Sequence, residues 1–143
     1  EFTAKFLPFS STDISTSYTF TNSDQRTPQV SGTRIISTLG VPDHQFTVVA
    51  TQRIKQFWVN FDFLATSGYL APIFSGTTFS TYLYRFNGNR RGDLTAGYTF
   101  NLTKRDMSVR VFGTIGNIFN QEYYENGFRT AKANARIGVS YAF

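Results

Sequence analysis

The amino-acid sequence predicts an all-β fold built from antiparallel transmembrane β-barrel strands. Apolar and polar residues alternate with a period of two over most of the chain, which is the pattern of strands with two different faces. Aromatic residues make up 17% of the chain, yet its mean hydropathy is only -0.24. A soluble core with so many rings would raise the mean hydropathy, whereas a barrel wall alternates apolar outward residues with polar lumen residues.

The alternation divides the chain into seven candidate spanning strands. In the last of them, Ile137, Val139 and Tyr141 share one face, and the residues between them are small or polar. The strands are close to the 9–11 residues that a tilted strand needs to cross the hydrocarbon layer. We predict them at residues 2–9, 12–22, 44–54, 56–65, 93–103, 107–117 and 136–143.

Two neighbouring candidate strands, 93–103 and 107–117, form the clearest hairpin. Both show the same alternation, and the short polar break between them predicts a tight turn from Lys104 to Asp106. The outward face of this hairpin is predicted to carry Leu94, Tyr98, Val109 and Val111.

The connections between strands alternate in length. Short turns are predicted at Ser10-Ser11, Ile54-Lys55 and Lys104 to Asp106, and long connections at 23–43, 66–92 and 118–131. Outer-membrane barrels have short periplasmic turns and longer extracellular loops. We therefore expect the long connections to lie together on the side opposite the C-terminus, with residues 78–87 forming a hairpin arm above the membrane.

An odd number of strands does not suit a closed single-chain barrel, because bacterial barrels have an even number. An open sheet edge in lipid leaves backbone groups without partners, at several kcal/mol per group. The sequence therefore predicts that further strands come from sequence outside residues 1–143 or from another chain.

Composition argues against several other classes of protein. The net charge is +5, but the only adjacent basic pairs are Arg90-Arg91 and Lys104-Arg105, so no nucleic-acid-binding face is expected. No apolar run is long enough for a transmembrane helix. With no cysteine and one histidine, neither a metal site nor a cofactor is predicted.

Catalysis is not predicted either. The chain has no Gly-x-Ser-x-Gly motif, and one histidine of uncertain facing does not define a catalytic triad. We assign His44 a structural role at the mouth of a strand, although some outer-membrane hydrolases do carry catalytic residues in small barrels.

Several short motifs are spread in order over most of the chain. They are Ser17-Tyr18-Thr19-Phe20, Val41-Pro42-Asp43-His44, Arg91-Gly92-Asp93-Leu94 with Tyr98, Asn117-Ile118-Phe119, Tyr123-Tyr124 and the final Phe143. Together they resemble the C-terminal barrel of TonB-dependent outer-membrane receptors. The sequence departs from that pattern at Ala131-Lys132-Ala133, where Pro-Gly-Arg often precedes the last strand of the family.

The resemblance implies a transporter in the outer membrane of a Gram-negative bacterium. Such a protein has a barrel of about 22 strands with a plugged lumen and imports a scarce nutrient, such as an iron-siderophore, cobalamin or a glycan. Its expected partners are outer-membrane lipid, the barrel assembly machinery, the rest of its own barrel and plug, and TonB. Nothing in residues 1–143 matches the plug domain or the TonB box, so we interpret the whole range as the C-terminal portion of the barrel.

Two alternatives remain open. One is a complete eight-stranded outer-membrane barrel of the OmpA/OmpX type, with a role in adhesion or membrane structure. The other is a soluble β-sandwich that binds a ligand, which would turn its aromatic residues toward an interior.

Two groups of candidate functional residues follow. Gly138, Tyr141 and Phe143 match the C-terminal signal that the barrel assembly machinery recognises. Aromatic and amide side chains in the long connections can stack on sugars or on aromatic siderophore groups, or can form the upper aromatic girdle. These candidate ligand-binding residues are Tyr69, Phe74, Tyr123, Tyr124 and Asn126. The tripeptide Arg91-Gly92-Asp93 is expected in a loop, where turn chemistry alone accounts for it.

Overall fold

The computed structural model describes residues 1–22, 25–26, 34–35, 39–102, 107–125 and 128–143, and these residues are all-β and antiparallel, as the sequence predicts. In chain order the strands are β1 (Phe2–Phe9), β2 (Thr12–Phe20), β3 (Gln25–Arg26), β4 (Arg34–Ile35), β5 (His44–Ile54), β6 (Phe57–Thr66), β7 (Tyr69–Ser75), β8 (Ser80–Phe86), β9 (Arg90–Leu102), β10 (Met107–Gly116), β11 (Tyr124–Glu125), β12 (Phe128–Arg129) and β13 (Asn134–Ala142).

Seven of these strands form one continuous sheet in the order β1-β2-β5-β6-β9-β10-β13. They are the seven strands that the alternation predicted. Every neighbouring pair is antiparallel, and the register of β9 on β10 places Tyr98 opposite Val111 and Leu94 opposite Ile115. The predicted hairpin and its facing are therefore confirmed, while the turn at Lys104 to Asp106 lies outside the described residues.

One predicted boundary is wrong in a way that matters for the site. The sequence places residues 66–92 in a long connection, but β9 begins at Arg90, so Arg91-Gly92-Asp93 belongs to a strand and not to a loop. The carbonyl of Gly92 accepts a hydrogen bond from the backbone N–H of Ile118, at 2.8 Å. Arg90 and Arg91 pair with Ala65 and Leu64 of β6, so the ladder between β6 and β9 continues beyond the alternating pattern.

The two ends of the sheet differ, as predicted from the connection lengths. We call one end the short-turn edge, where β1 meets β2 through Ser10-Ser11 and β5 meets β6 through Lys55-Gln56. We call the other end the long-loop edge, where Phe20 pairs with His44 and Gly116 pairs with Asn134. The connections after β2, β6 and β10 all begin and end at the long-loop edge, which is the side predicted for the three long connections.

The two faces of the sheet also differ. Because side chains alternate along each strand and cross-strand partners share a face, the registers define both. The apolar face carries Phe2, Phe6, Tyr18, Phe46, Val48, Phe57, Phe61, Phe63, Leu94, Tyr98, Phe100, Val111, Ile115, Ile137, Val139 and Tyr141. The polar face carries mainly Ser, Thr, Asn, Asp and Arg, together with Trp58 and Phe112.

The sheet is a single layer. Within the described residues, Phe86 and Tyr123 are the only buried hydrophobic side chains, and none of the two-stranded sheets packs on a face of the seven-stranded sheet. Large apolar side chains remain exposed along the whole apolar face, including Phe46, Val139 and Tyr141. The sheet is also open, since β1 and β13 are its two edges and do not pair with each other.

The longest connection forms a separate hairpin of β7 and β8, so residues 78–87 belong to a hairpin arm as predicted, while its first strand, Tyr69–Ser75, was not predicted. Pro72 pairs with Leu83 in its middle. The arm joins the sheet through a narrow neck, in which the N–H of Thr66 donates to the carbonyl of Asn89 at 2.9 Å. A Cβ atom at Gly88 would lie 2.1 Å from the Thr66 carbonyl oxygen, so the two chains of the neck approach closely only because residue 88 is glycine.

Candidate functional site

The most extensive functional surface of the described chain is the apolar face itself. Its rings form contacts along and between strands, with Phe46 and Phe63 at 6.5 Å and Tyr98 and Phe100 at 4.7 Å between ring centroids. These side chains nevertheless stay exposed, Phe46 by 40% and Phe100 by 49%. A contiguous apolar surface of this extent marks a site of contact with a membrane or with another protein.

A second feature is a group of hydrogen-bonded side chains at the long-loop edge of the polar face, which connects β9 to the last long connection. We call it the Asn117 clasp, and it consists of Arg91, Asp93, Asn117, Gln121 and Tyr123. Asp93 accepts hydrogen bonds from Arg91 Nη2 at 2.6 Å and from the Asn117 backbone N–H at 2.7 Å. Arg91 Nη1 lies 3.5 Å from the Tyr123 hydroxyl. The clasp brings together residues from three of the motifs that carry the family resemblance.

Asn117 is the centre of the clasp, and it is only 3% exposed. Its side-chain amide donates to the carbonyls of Gln121 at 2.8 Å and Ala131 at 3.2 Å, while its Oδ1 accepts from the Gln121 N–H at 3.2 Å. Its φ of 51° lies in the left-handed region, where asparagine is favoured over most other residues. Both the amide and the backbone geometry therefore select asparagine at this position.

We expect Asn117→Ala to loosen residues 118–131 while leaving the sheet folded. The substitution removes three hydrogen bonds between the Asn117 side chain and the backbone of Gln121 and Ala131, each worth about 0.5–1.5 kcal/mol, and it places alanine, which has no compensating amide, at positive φ. Hydrogen exchange of the full-length protein should show faster exchange at Gln121 and Ile118 than in the unmodified protein. Asn120→Ala is the matched control, because Asn120 also has a φ of 51° but is exposed, and its side chain accepts a single hydrogen bond, from the Ala133 N–H at 3.1 Å, where Asn117 makes three. Equal changes in the two variants would contradict the clasp.

An aromatic cluster lies above the clasp, at the base of the β7–β8 arm. Phe86, which is 8% exposed, stacks on Tyr69 at 5.2 Å and contacts Tyr84 edge-on at 4.9 Å between ring centroids. Tyr124 lies 6.1 Å from Phe86, and the Tyr69 hydroxyl donates to the Tyr124 carbonyl at 3.3 Å. The cluster therefore joins the arm to the last long connection.

The structure places the predicted ligand-binding residues in different surroundings. Tyr69 and Tyr124 meet in the aromatic cluster, where Tyr124 remains 44% exposed. Phe74 lies near the tip of the arm, 6.3 Å from Phe79. Tyr123 is 6% exposed and turns toward Arg91, so it offers little surface to a ligand. Asn126 lies outside the described residues, and ligand binding by any of the five stays a prediction.

The residues of the predicted assembly signal lie on β13 and just beyond it. A Cβ atom at Gly138 would lie 2.4 Å from the Phe112 ring. The position of that ring on the polar face is therefore enough to explain why residue 138 is glycine. The Tyr141 hydroxyl donates to the Met107 sulfur at 2.7 Å, and the Tyr141 ring stacks on Phe143 at 5.7 Å. Phe143 is 96% exposed. Recognition by an assembly machinery stays a prediction.

His44 occupies the structural position that the sequence suggested, at the start of β5. Its Nδ1 lies 2.8 Å from the Tyr18 hydroxyl, and its ring lies 5.0 Å from Phe20. Its backbone N–H donates to the Ser67 hydroxyl at 3.1 Å. These contacts tie β2, β5 and the neck of the arm together at the long-loop edge.

The sequence analysis did not predict one group of interacting residues, Trp58, Gly97 and Arg110, which lies on the polar face near the short-turn edge. The Trp58 indole lies flat on the backbone of Gly97, where a Cβ atom would be 2.7 Å from the ring. The guanidinium carbon of Arg110 lies 5.7 Å from the centre of the Trp58 ring, within the range of a cation–π interaction. No motif signals this grouping, because its three residues come from three different strands.

No helix in the described part of the chain combines the length and the apolar character that crossing a membrane requires. The same residues include no cluster of three or more His, Asp or Glu side chains that could hold a metal ion. Comparison of the chain with protein-family models, with curated proteins and with solved structures matched none of them.

Proposed function

We propose that this chain is the C-terminal part of the barrel of a TonB-dependent transporter in the bacterial outer membrane, which imports a scarce nutrient such as an iron-siderophore, cobalamin or a glycan. The observation that carries the proposal is the single seven-stranded antiparallel sheet with one exposed apolar face and one polar face. In a barrel, these faces contact lipid and the lumen respectively.

Three further features support this proposal. Long connections that share one edge match the loop asymmetry of outer-membrane barrels. Aromatic side chains lie at both ends of the apolar face, with Phe20 and Phe63 toward the long-loop edge and Phe57, Phe100 and Tyr141 toward the short-turn edge, as in the two interfacial girdles of such barrels. Residues from three of the motifs that resemble the transporter family also meet in the Asn117 clasp.

The second candidate is a small eight-stranded barrel with a role in adhesion or membrane structure. The observation that favours it is the count of seven sheet strands, which is one short of eight. The two candidates differ in what closes the sheet, because the small barrel needs a single further strand.

Cysteine labelling in intact cells tests the orientation. We expect Thr78→Cys, at the exposed tip of the arm, to react with a membrane-impermeant maleimide, because the long connections should be extracellular. Lys55→Cys, in the turn between β5 and β6, should react only after the outer membrane is permeabilised. Both positions are exposed in the structure, so side-chain burial does not account for a difference. Labelling of Lys55→Cys alone in intact cells would mean that the orientation is inverted.

Uptake measurements test the transport function. Cells that contain the full-length protein should take up one of the labelled candidate nutrients, ferric siderophores, cobalamin or glycans, faster than cells that lack it. That advantage should disappear in a strain without TonB, because import through a plugged barrel needs energy from the inner membrane. Uptake that persists without TonB would reject the transporter and favour a passive barrel.

A further inference from the structure

The apolar face carries a charged side chain at its long-loop edge. Among the described residues of the seven sheet strands, Arg90 is the only lysine, arginine, aspartate or glutamate that the registers place on this face. It pairs with Ala65, which pairs in turn with Phe46. Arg90 is exposed and is the first residue of β9. On the lipid side of a barrel, a charge costs least near the interface, where lipid headgroups lie.

An open cavity of about 810 Å³ lies beside Arg90, between the apolar face and the neck of the arm. Phe63 and Phe119 line it, with ring centroids 6.0 Å apart. Phe119 belongs to the last long connection, and its ring covers β9 where residue 92 is glycine, since a Cβ atom there would lie 2.7 Å from the ring. Because Phe63 is on the apolar face and Phe119 remains 52% exposed, the cavity has an apolar wall that continues this face.

The polar side of the cavity presents N–H donors. The Gln121 Oε1 atom accepts a hydrogen bond from the Arg90 backbone N–H at 2.7 Å, which leaves the Gln121 Nε2 group to donate elsewhere. The Arg90 guanidinium forms no hydrogen bond or ion pair with another residue that the structure describes. Guanidinium groups bind phosphate oxygens through paired, charge-assisted hydrogen bonds. The cavity thus combines donors for an anion with a wall for hydrocarbon.

We propose that this cavity binds a phosphorylated glycolipid of the outer leaflet. A headgroup phosphate accepts hydrogen bonds from the Arg90 guanidinium and the Gln121 amide, while an acyl chain packs on Phe63 and Phe119. A free phosphate ion would leave the two rings uncovered. The lipid site rests on the proposed function, because the cavity meets the outer leaflet only if the long connections are extracellular. It goes beyond nutrient import, since it is independent of the solute.

Lipid binding to the full-length protein in a non-ionic detergent tests the proposal, with native mass spectrometry as the measurement. The probes are lipid A with two phosphates and the same lipid after enzymatic removal of both. We expect the phosphorylated lipid to bind at least about tenfold more tightly, because only it accepts the charge-assisted hydrogen bonds. Equal binding of the two lipids would overturn the proposal. So would displacement of lipid A by an equal concentration of inorganic phosphate.

Two arginine variants separate the cavity from the general positive charge of the protein. Arg90→Gln keeps the backbone N–H that Gln121 accepts, and it should bind phosphorylated lipid A at least about tenfold more weakly. Arg85→Gln removes the same charge from an exposed position on β8 and should change the affinity by less than about twofold. Equal losses in the two variants would overturn the proposal.

The apolar wall has its own pair of variants. Phe119→Ala should weaken lipid A binding by about fivefold or more, because the acyl chain loses a ring to pack on. Phe128→Ala, on the same connection and 79% exposed, should leave the affinity nearly unchanged. Phe119→Leu keeps an apolar side chain and should retain most of the affinity, which separates lost packing from misfolding. Full affinity in Phe119→Ala would overturn binding in this cavity. The labelling and uptake experiments do not involve these variants, so the lipid site and the transport function fail separately.

Discussion

Replacing Val48 with arginine should lower the free energy of unfolding of the full-length protein in lipid by about 2–4 kcal/mol. The same replacement at Val49, one residue later on β5, should leave stability nearly unchanged. Val48 pairs with Phe63 on the apolar face, whereas Val49 pairs with Asp62 on the polar face. The two positions share the same original residue and nearly the same depth in the sheet, so only the face differs.

The physical reason is the different surroundings of the two new guanidinium groups. In the proposed barrel, the charge at residue 48 enters the hydrocarbon near the middle of β5, where its cross-strand neighbours are Phe63 and Thr16 and no carboxylate is opposite. In the same barrel, the charge at residue 49 enters the lumen beside the Asp62 carboxylate, which forms no ion pair with any described residue. An arginine at residue 49 can therefore gain a partner, while one at residue 48 loses its hydration.

Denaturant titration of the protein in lipid vesicles measures this difference, with heat-modifiable migration on gels as the signal for folded barrel. Equal stabilities of the two variants would mean that the apolar face does not contact lipid. Greater damage from the Val49 variant would mean that the two faces have been assigned in reverse.

The second large effect is expected at the neck of the arm. Gly88→Ala should separate the β7–β8 arm from the sheet, at a local cost of about 3 kcal/mol, the upper end for overpacking. The added Cβ atom would meet the Thr66 carbonyl oxygen at 2.1 Å and the Ser67 carbonyl carbon at 2.8 Å. Both atoms belong to the backbone, so a change of side-chain rotamer cannot relieve the contact.

Limited proteolysis of the folded protein should detect the loosened arm as faster cleavage within residues 69–86. Gly76→Ala at the tip of the same arm is the control, because nothing lies within 4 Å of a Cβ atom there. The Gly88 variant should also weaken the contact between Tyr69 and Tyr124, since the neck positions the aromatic cluster. If both variants resist the protease like the unmodified protein, then the neck does not hold the arm in place.

The strands and faces could be predicted because their signal is local. Side chains such as Val109 and Val111 repeat every second residue, and that repeat alone fixes which of them share a face. The lengths of the connections likewise indicated which ends of the strands lie together. The start of β9 was placed three residues too late, because Arg90 and Arg91 join the strand by pairing with Ala65 and Leu64 of β6, and no alternation within residues 90–92 indicates that pairing.

The contacts that build the candidate sites could not be predicted, because they depend on register between strands distant in sequence. Nothing near Trp58 in the chain indicates that Gly97 lies beside it or that Arg110 reaches its ring. Asn117 was singled out as part of a family-like motif, but its hydrogen bonds to Gln121 and Ala131 follow from a left-handed backbone that the motif does not encode. Nothing in the sequence around Gly88 indicates that the Thr66 carbonyl lies against it.

The open sheet has a consequence for how its outer strands can be joined. Both β1 and β13 run from the long-loop edge to the short-turn edge, because an odd number of alternating strands begins and ends in the same direction. A direct seam between them would be parallel, unlike every other pair in the sheet. Antiparallel closure therefore requires an odd complement: one strand for a small barrel, or roughly fifteen for a barrel of about 22. Any scheme that closes this sheet with an even number of added strands must contain a parallel pair.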